Sequence, residues 1–319
     1  ELLQGIIMFT TLMLTPILCI ISVGGMDVVL AKIAAFNPDL LSAVKTVDYS
    51  LDKGIFWQTT GSVTLFSVVS CLGWGLGYFG QPHILIRFMS IKNHRELVKS
   101  RLIALSIGNV FPLYGTIVVG LIGIAVYNGP TALANPETVF ITMVKDMFNP
   151  WLAGFFLSAI MAAIMSTLSS QLLVAASSFA EDVYRSFMKP SASDKELMFV
   201  SRTMVLVIAT IGILLSFRGG KILDLVSYAW SGFGAAFGPT ILFSLFWGKM
   251  TRNAAIAGIV GGGLTVVLWP LTGSAMMDII PGFAVSCVAI WLTASFGKPV
   301  EPEVAATFDN LEKAIKAKH

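Results

Sequence analysis

Two stretches of this 319-residue chain hold the residues whose types and spacing could do chemistry. From Ser158 to Gln171 the sequence reads SAIMAAIMSTLSSQ, with Ala163, Ser166, Thr167 and Ser170 at i, i+3, i+4 and i+7. In a helix these form one narrow face of small residues and hydroxyls. Two physical readings compete. In one, the hydroxyls bond back to their own helix and the small residues let a neighbouring helix approach. In the other, hydroxyl oxygens and a carbonyl coordinate a small hard cation. Hard cations take oxygen ligands, and neutral oxygens suit a monovalent ion better than a carboxylate cage does. Spacing alone leaves both open.

The second stretch, GWGLGYFGQP from Gly73 to Pro82, alternates glycine with aromatics and closes on proline. Each glycine weakens a helix by about 1 kcal/mol relative to alanine, and proline removes a backbone donor. A break is expected here, with Trp74, Tyr78 and Gln81 at i, i+4 and i+7. The alternative is a tightly packed glycine-rich helix with interfacial aromatics. SYAWSGFGAAFGP, from Ser227 to Pro239, repeats the same ingredients. Paired interrupted helices point to a transporter's binding site between repeats, although Gly238-Pro239 also suits a simple kink.

The elements that position these residues follow from composition. Hydrophobic residues make up 55% of the chain and charged residues 12%, against about one quarter charged in a soluble domain. That excludes an ordinary soluble globule and a disordered chain. A net charge of +3 excludes a phosphate-tracking surface, so no nucleic-acid partner is expected. Cys19, Cys71 and Cys287 lie in apolar runs without metal-ligand spacing and read as small buried hydrophobes. Eight apolar runs approach the roughly 20 residues that span a bilayer, at 2–24, 55–82, 102–127, 151–179, 203–217, 222–247, 254–272 and 279–296. They do not alternate as barrel strands do, so they are predicted helices of an all-α polytopic membrane protein.

Segments 83–101, 180–202, 248–253 and 297–319 hold 15 of the 21 Lys and Arg residues. The excess of positive charge places these segments in the cytoplasm, together with the first residue of this portion and the C-terminus. Lys32, Lys45, Lys53, Lys145, Arg218 and Lys221 fall on the other side. Residues 26–36 read as an outer interfacial helix, and 301–319 as a solvated one. Glu1 stands directly before an apolar run, without initiator Met or signal-peptide pattern, so the start of the protein is expected to be absent. Apart from Asp224 the runs hold no Asp, Glu, Lys or Arg. This portion therefore has no intramembrane proton carrier, which favours a metal cation bound by dipoles and a neutral or zwitterionic substrate.

GWGLGYFGQPHILIRFM (73–89), AIMAAIMSTLSSQLL (159–173), and LVSYAWSGFGAAFGP (225–239) followed by WGKMTRN (247–253) resemble the solute:sodium symporter family, most of all its bacterial sodium/proline branch. The match runs to about residue 296. Relatives often have Gly where Ala254 stands. The resemblance implies the five-plus-five inverted-repeat fold first known from a leucine transporter. Residues 1–296 would be its transporter domain from the fifth core helix onward, with two peripheral helices, and 297–319 a cytoplasmic tail. It implies Na+ as coupling ion, held by the hydroxyls of Ser166 and Thr167 and the carbonyl of Ala163, with further ligands from a first core helix outside this sequence. Trp74, Tyr78 and Pro82 would match the substrate cavity and its gating region. The implied activity is sodium-coupled L-proline uptake across the bacterial inner membrane, with no organic cofactor. The competing readings are a sodium symporter of another small amino acid or carboxylate, and a membrane sensor or channel-like protein. An enzyme is not expected, because His83, His94 and His319 are scattered and no nucleophile–base pair appears.

Overall fold

The computed structural model describes residues 2–50, 57–128, 131–217 and 219–316. Expectations that rest on Glu1, on Lys53 and residues 55–56, on Arg218, and on Lys318 and His319 lie outside the described residues. In chain order the elements are helix α1 (Leu2–Val23), α2 (Met26–Phe36), strands β1 (Lys45–Tyr49) and β2 (Trp57–Ser62), α3 (Leu65–Leu72), a 3-10 segment (Gly73–Gly80) and α4 (Pro82–Met89). Next come α5 (His94–Ile103), a π-helical segment (Ala104–Val110), α6 (Phe111–Val126), α7 (Val139–Met147), α8 (Pro150–Ser178) and a second π segment (Phe179–Met188). The last are α9 (Asp194–Ser216), α10 (Ile222–Phe246), α11 (Arg252–Leu268), α12 (Ile279–Phe296) and α13 (Pro302–Lys316).

Several helices, α8, α9 and α11 among them, begin where the sequence supplies a side-chain acceptor for their unpaired amides. Asn149 accepts from Leu152 N, with Pro150 opening α8 behind it. Ser193 accepts from Glu196 N to open α9, and Thr251 from Ala254 N to open α11. Thr64 and Ser67 cap each other reciprocally at α3. The turn into α9 is tied by Lys189, whose Nζ lies 2.8 and 2.9 Å from the Glu196 carboxylate oxygens. That carboxylate raises the Lys189 ammonium above its ordinary range.

Among the described residues, seven helices are long and apolar enough to cross a membrane. The eighth expected run is the exception, and 55–82 is corrected in two ways. Residues 57–62 form a strand paired antiparallel with β1, Tyr49 opposite Trp57, so the chain is not purely α-helical. Helix begins only at Leu65, and the apolar helical piece, Leu65–Gly80, is short. The run expected from 203 starts earlier, at Asp194, because Ser193 caps it there. α2 forms as expected over 26–36.

The chain divides into two compact units. One comprises Glu1–Val63 and Ile91–Gly219, the other Thr64–Ser90 and Gly220–His319. In the first, α1 packs on α6 and α8, and α8 also packs on α9. Its core holds Cys19, Val29, Ile33, Ile122 and Met143, with a second cluster around Phe156. Of the three cysteines expected to be buried only Cys19 is, Cys287 being half-buried and Cys71 exposed. Leu197 is the only buried residue of α9, whose Leu206 and Leu214 are 70% and 62% exposed. An apolar helix turned outward along its length suits a lipid-facing position.

In the second unit α10, α11 and α12 pack on one another and enclose Ala235, Val266 and Ile279. Small residues permit this closeness: a Cβ on Gly262 would strike the Ala235 carbonyl. α13 forms in the expected tail, and the Phe308 ring lies against Gly248, so the tail is packed on one side as well as solvated.

Candidate functional site

The expected site residues fall in both units. Ala163, Ser166 and Thr167 are all on α8, and the helix runs unbroken through them. Ala163, Ser166 and Ser170 are half-buried and Thr167 is exposed. The Ser166 hydroxyl donates to the Ala163 carbonyl at 3.1 Å, and the Ser170 hydroxyl to the Ser166 carbonyl at 2.9 Å. Back-bonding to the same helix is thus present. It spends the hydroxyl proton and leaves the oxygen's lone pairs, the part a cation would use. The Thr167 hydroxyl has no hydrogen-bond partner among the described residues. Two hydroxyl oxygens with free lone pairs and a nearby carbonyl form a neutral donor set that fits a hard monovalent ion. The Ala163 carbonyl is the weakest of the three donors, because it already accepts the Ser166 proton.

Trp74, Tyr78 and Pro82 belong to the second unit, at the broken stretch. α3 gives way at Gly73 to a 3-10 segment, Gln81 is extended (φ −82°, ψ 111°), and Pro82 opens α4. Glycine density and the proline produce the expected break. The other expected interruption, at Ser227–Pro239, does not occur. α10 is continuous, with Pro239 inside it. Gly234 and Gly238 serve close packing, since a Cβ on Gly234 would lie 2.6 Å from Gly77 Cα and one on Gly238 2.8 Å from the Phe283 ring.

Trp230 of α10 brings the 3-10 residues together. Trp74 stacks on it with ring centroids 5.5 Å apart and planes 14° apart. Tyr78 meets it edge-on at 4.8 Å and 84°. Trp230 Nε1 donates to the Trp74 carbonyl at 2.9 Å, and Gln81 Nε2 donates to the Trp230 carbonyl at 3.1 Å. Gln81 is only 4% exposed, so this bond satisfies an amide that burial would otherwise penalise. Tyr78 is 52% exposed and Pro82 half-buried. The helical spacing of Trp74, Tyr78 and Gln81 pointed to a shared face. It carried no signal that Trp230 completes the cluster, since that contact spans 156 residues of sequence.

Gly77 lies under the Trp230 indole, where an added Cβ would overlap Nε1, whereas a Cβ on Gly75 would meet open space. Gly77→Ala is therefore expected to destabilise the fold by about 1–3 kcal/mol, the usual range for overpacking. Gly75→Ala should leave stability close to wild type. Thermal unfolding of the two purified variants in detergent checks the contrast; equal melting temperatures would contradict it.

Seven membrane-length apolar helices among the described residues, a broken helix lined by aromatics and a neutral hydroxyl stripe have the construction of a secondary transporter. Residues 1–262 match the profile of the Sodium:solute symporter family, and the chain belongs to that family. It is thus a multi-pass membrane protein of a transporter family and not an enzyme. The osmoregulated proline transporter OpuE of Bacillus subtilis is 43% identical over 99% of this chain and 62% of its own length. A sodium/proline symporter of Escherichia coli is 44% identical over 92% of this chain and 57% of its own length. The chain therefore spans 57–62% of these curated relatives. The solved structure of a Na+-coupled sialic acid symporter in a substrate-bound outward-open state covers 94% of this chain and 62% of that one, with a TM-score of 0.71. At 18% identity that likeness is one of fold.

Proposed function

We propose that the chain is the larger part of a sodium-coupled L-proline symporter of the bacterial inner membrane. The observation that carries this reading is the broken Gly73–Gly80 segment with its aromatic pair, in a chain 43–44% identical to named proline transporters. The fold would be the five-plus-five inverted repeat. Residues 1–296 would supply its fifth core helix onward and two peripheral helices, eight spans with Leu65–Met89 as the broken one, and residues 297–319 a cytoplasmic tail.

Na+ would bind the Ser166 and Thr167 hydroxyls and the Ala163 carbonyl, completing its shell with ligands from a first core helix. Proline would lay its apolar ring against Trp74 and Tyr78, and Pro82 would belong to the gating region. Na+ on the α8 stripe holds that helix against the first core helix and keeps the site open outward. Proline on the aromatic pair lets the outer gate close. Release of Na+ to the sodium-poor cytoplasm loosens the bundle and opens the inner gate. The eight apolar runs, which apart from Asp224 hold no ionisable Asp, Glu, Lys or Arg, support coupling to a metal cation over a proton.

Sodium-stimulated uptake of labelled proline by the full-length protein tests the reading, against lithium and against a proton gradient alone. Competing amino acids and small carboxylates in the same assay identify the substrate. Uptake driven equally by a proton gradient would exclude sodium coupling. Conductance far above stepwise turnover would indicate a channel.

The orientation has its own test. In a background lacking Cys19, Cys71 and Cys287, a membrane-impermeant maleimide on intact cells is expected to label Ala134→Cys and spare Ser191→Cys, both at exposed positions. The reverse pattern would invert the proposed topology.

A further inference from the structure

The rings proposed to receive the substrate are not free to choose their own angle. Trp230 covers one face of Trp74 and takes the edge of Tyr78, so a single indole sets the orientation of both. That indole is itself held at several points. Its Nε1–H donates to the Trp74 carbonyl, and the backbone carbonyl of Trp230 accepts from the buried Gln81 amide. Gly77 beneath it leaves no room for a side chain. At Gly80, one 3-10 turn further along, an added Cβ would likewise strike the Phe233 carbonyl. The 3-10 segment has only short-range bonds of its own and poorer geometry than an α-helix, so its shape depends on what it is pinned to.

We propose that Trp230 is the positioning residue of the substrate site: through its stack on Trp74, its edge contact with Tyr78 and its bond to the Trp74 carbonyl, it sets the gap those rings offer and so the ring size of the cyclic amino acid accepted. The inference rests on the proline reading and deepens it. A rigid aromatic wall discriminates by fit, where a missing or extra methylene changes binding about 10- to 200-fold. The same wall tilted by loss of its support loses affinity and becomes less selective.

The test uses the full-length protein with Trp230→Phe, which keeps an aromatic face without the N–H, and Trp230→Leu, which removes both. Rates are normalised to the amount of protein in the membrane. For Trp230→Phe the KM for proline is expected to rise about 3- to 10-fold, the equivalent of one net hydrogen bond, with kcat within about twofold. The four-membered azetidine-2-carboxylate and the six-membered pipecolate should compete more nearly as well as proline does. Trp230→Leu should exaggerate both effects, while the sodium concentration for half-maximal uptake stays put. An unchanged KM overturns the proposal. So does a raised KM with the ring-size order intact, which would mark a packing effect only.

A readout independent of transport accompanies it. Leu76, half-buried on the 3-10 segment and packed against the Ala235–Val266–Ile279 core, is replaced by Cys in a cysteine-free background. Its reaction with a small methanethiosulfonate is expected to quicken severalfold when Trp230→Phe is added, and unchanged labelling counts against the positioning role. If the unaltered protein takes up no proline, the proline reading fails. The labelling comparison then decides by itself whether Trp230 holds the segment.

Discussion

Ser166→Ala in the full-length protein is expected to raise the sodium concentration for half-maximal proline uptake about 10- to 100-fold, the range typical of weakened metal sites. Maximal rate at saturating sodium and membrane abundance should change far less. The hydroxyl donates its proton along its own helix, to the Ala163 carbonyl, and keeps its lone pairs for a cation. Its removal deletes one oxygen and relieves the Ala163 carbonyl of a competing donor, a partial offset that keeps the loss below the cost of two ligands. Thr167→Ala should act in the same direction, because its hydroxyl has no other hydrogen bond among the described residues. Thr167→Ser keeps the oxygen and should recover sodium affinity to within about threefold. Ser169→Ala is the control: Ser169 is exposed, lies off the stripe and bonds the Ser166 carbonyl at 3.3 Å. Sodium titrations of uptake decide the matter. Unchanged curves for both Ser166→Ala and Thr167→Ala would dismiss the ion site and leave back-bonding and helix packing as the whole role of the stripe.

Local chemistry explains what the sequence made legible. The break at Gly73–Pro82 could be read because its causes, four glycines and a proline, are all in the segment itself. The same ingredients misled at Ser227–Pro239. There two of the three glycines sit against neighbours that leave no room for a side chain, Gly234 against Gly77 and Gly238 against Phe283, and the helix continues. Glycine marks a break or a close approach, and only the partner, distant in sequence, decides which. The β1–β2 hairpin was lost for a related reason. The apolar run was extended upstream over Gln58-Thr59-Thr60, three polar residues in a row of which two are β-branched, a composition that suits a half-exposed strand better than a span. Asn37, which holds β2 through Thr59 at 3.2 Å, lies 22 residues earlier. Trp230 could be seen as part of an aromatic cluster but not as the support of Trp74, since nothing in the spacing of either cluster encodes that they meet.

Trp74→Ala is expected to raise the KM for proline about 10- to 100-fold, in line with loss of an anchoring aromatic from a binding site. Two contributions add. The substrate loses an apolar face of its own, and Trp230 loses the ring it stacks on while keeping its bond to the residue-74 carbonyl, which alanine retains. Because the backbone anchor survives, the segment should remain folded, and the defect should appear in KM more than in abundance. Tyr78→Phe keeps the edge contact with Trp230 and removes only the hydroxyl of a residue that is 52% exposed, so it should cost little, whereas Tyr78→Ala should approach the Trp74→Ala effect. Pro82→Ala removes a ring suited to the first turn of α4, where no amide bond is forfeited. Its effect should fall on kcat, if at all, through the stiffness of the joint at Gln81. The ordering Trp74→Ala above Tyr78→Ala, with Tyr78→Phe and Pro82→Ala near wild type in KM, is the signature of recognition by ring faces. If Tyr78→Phe were as damaging as Tyr78→Ala, the hydroxyl would be the recognition group and the substrate would have to present a polar atom there instead of an apolar ring.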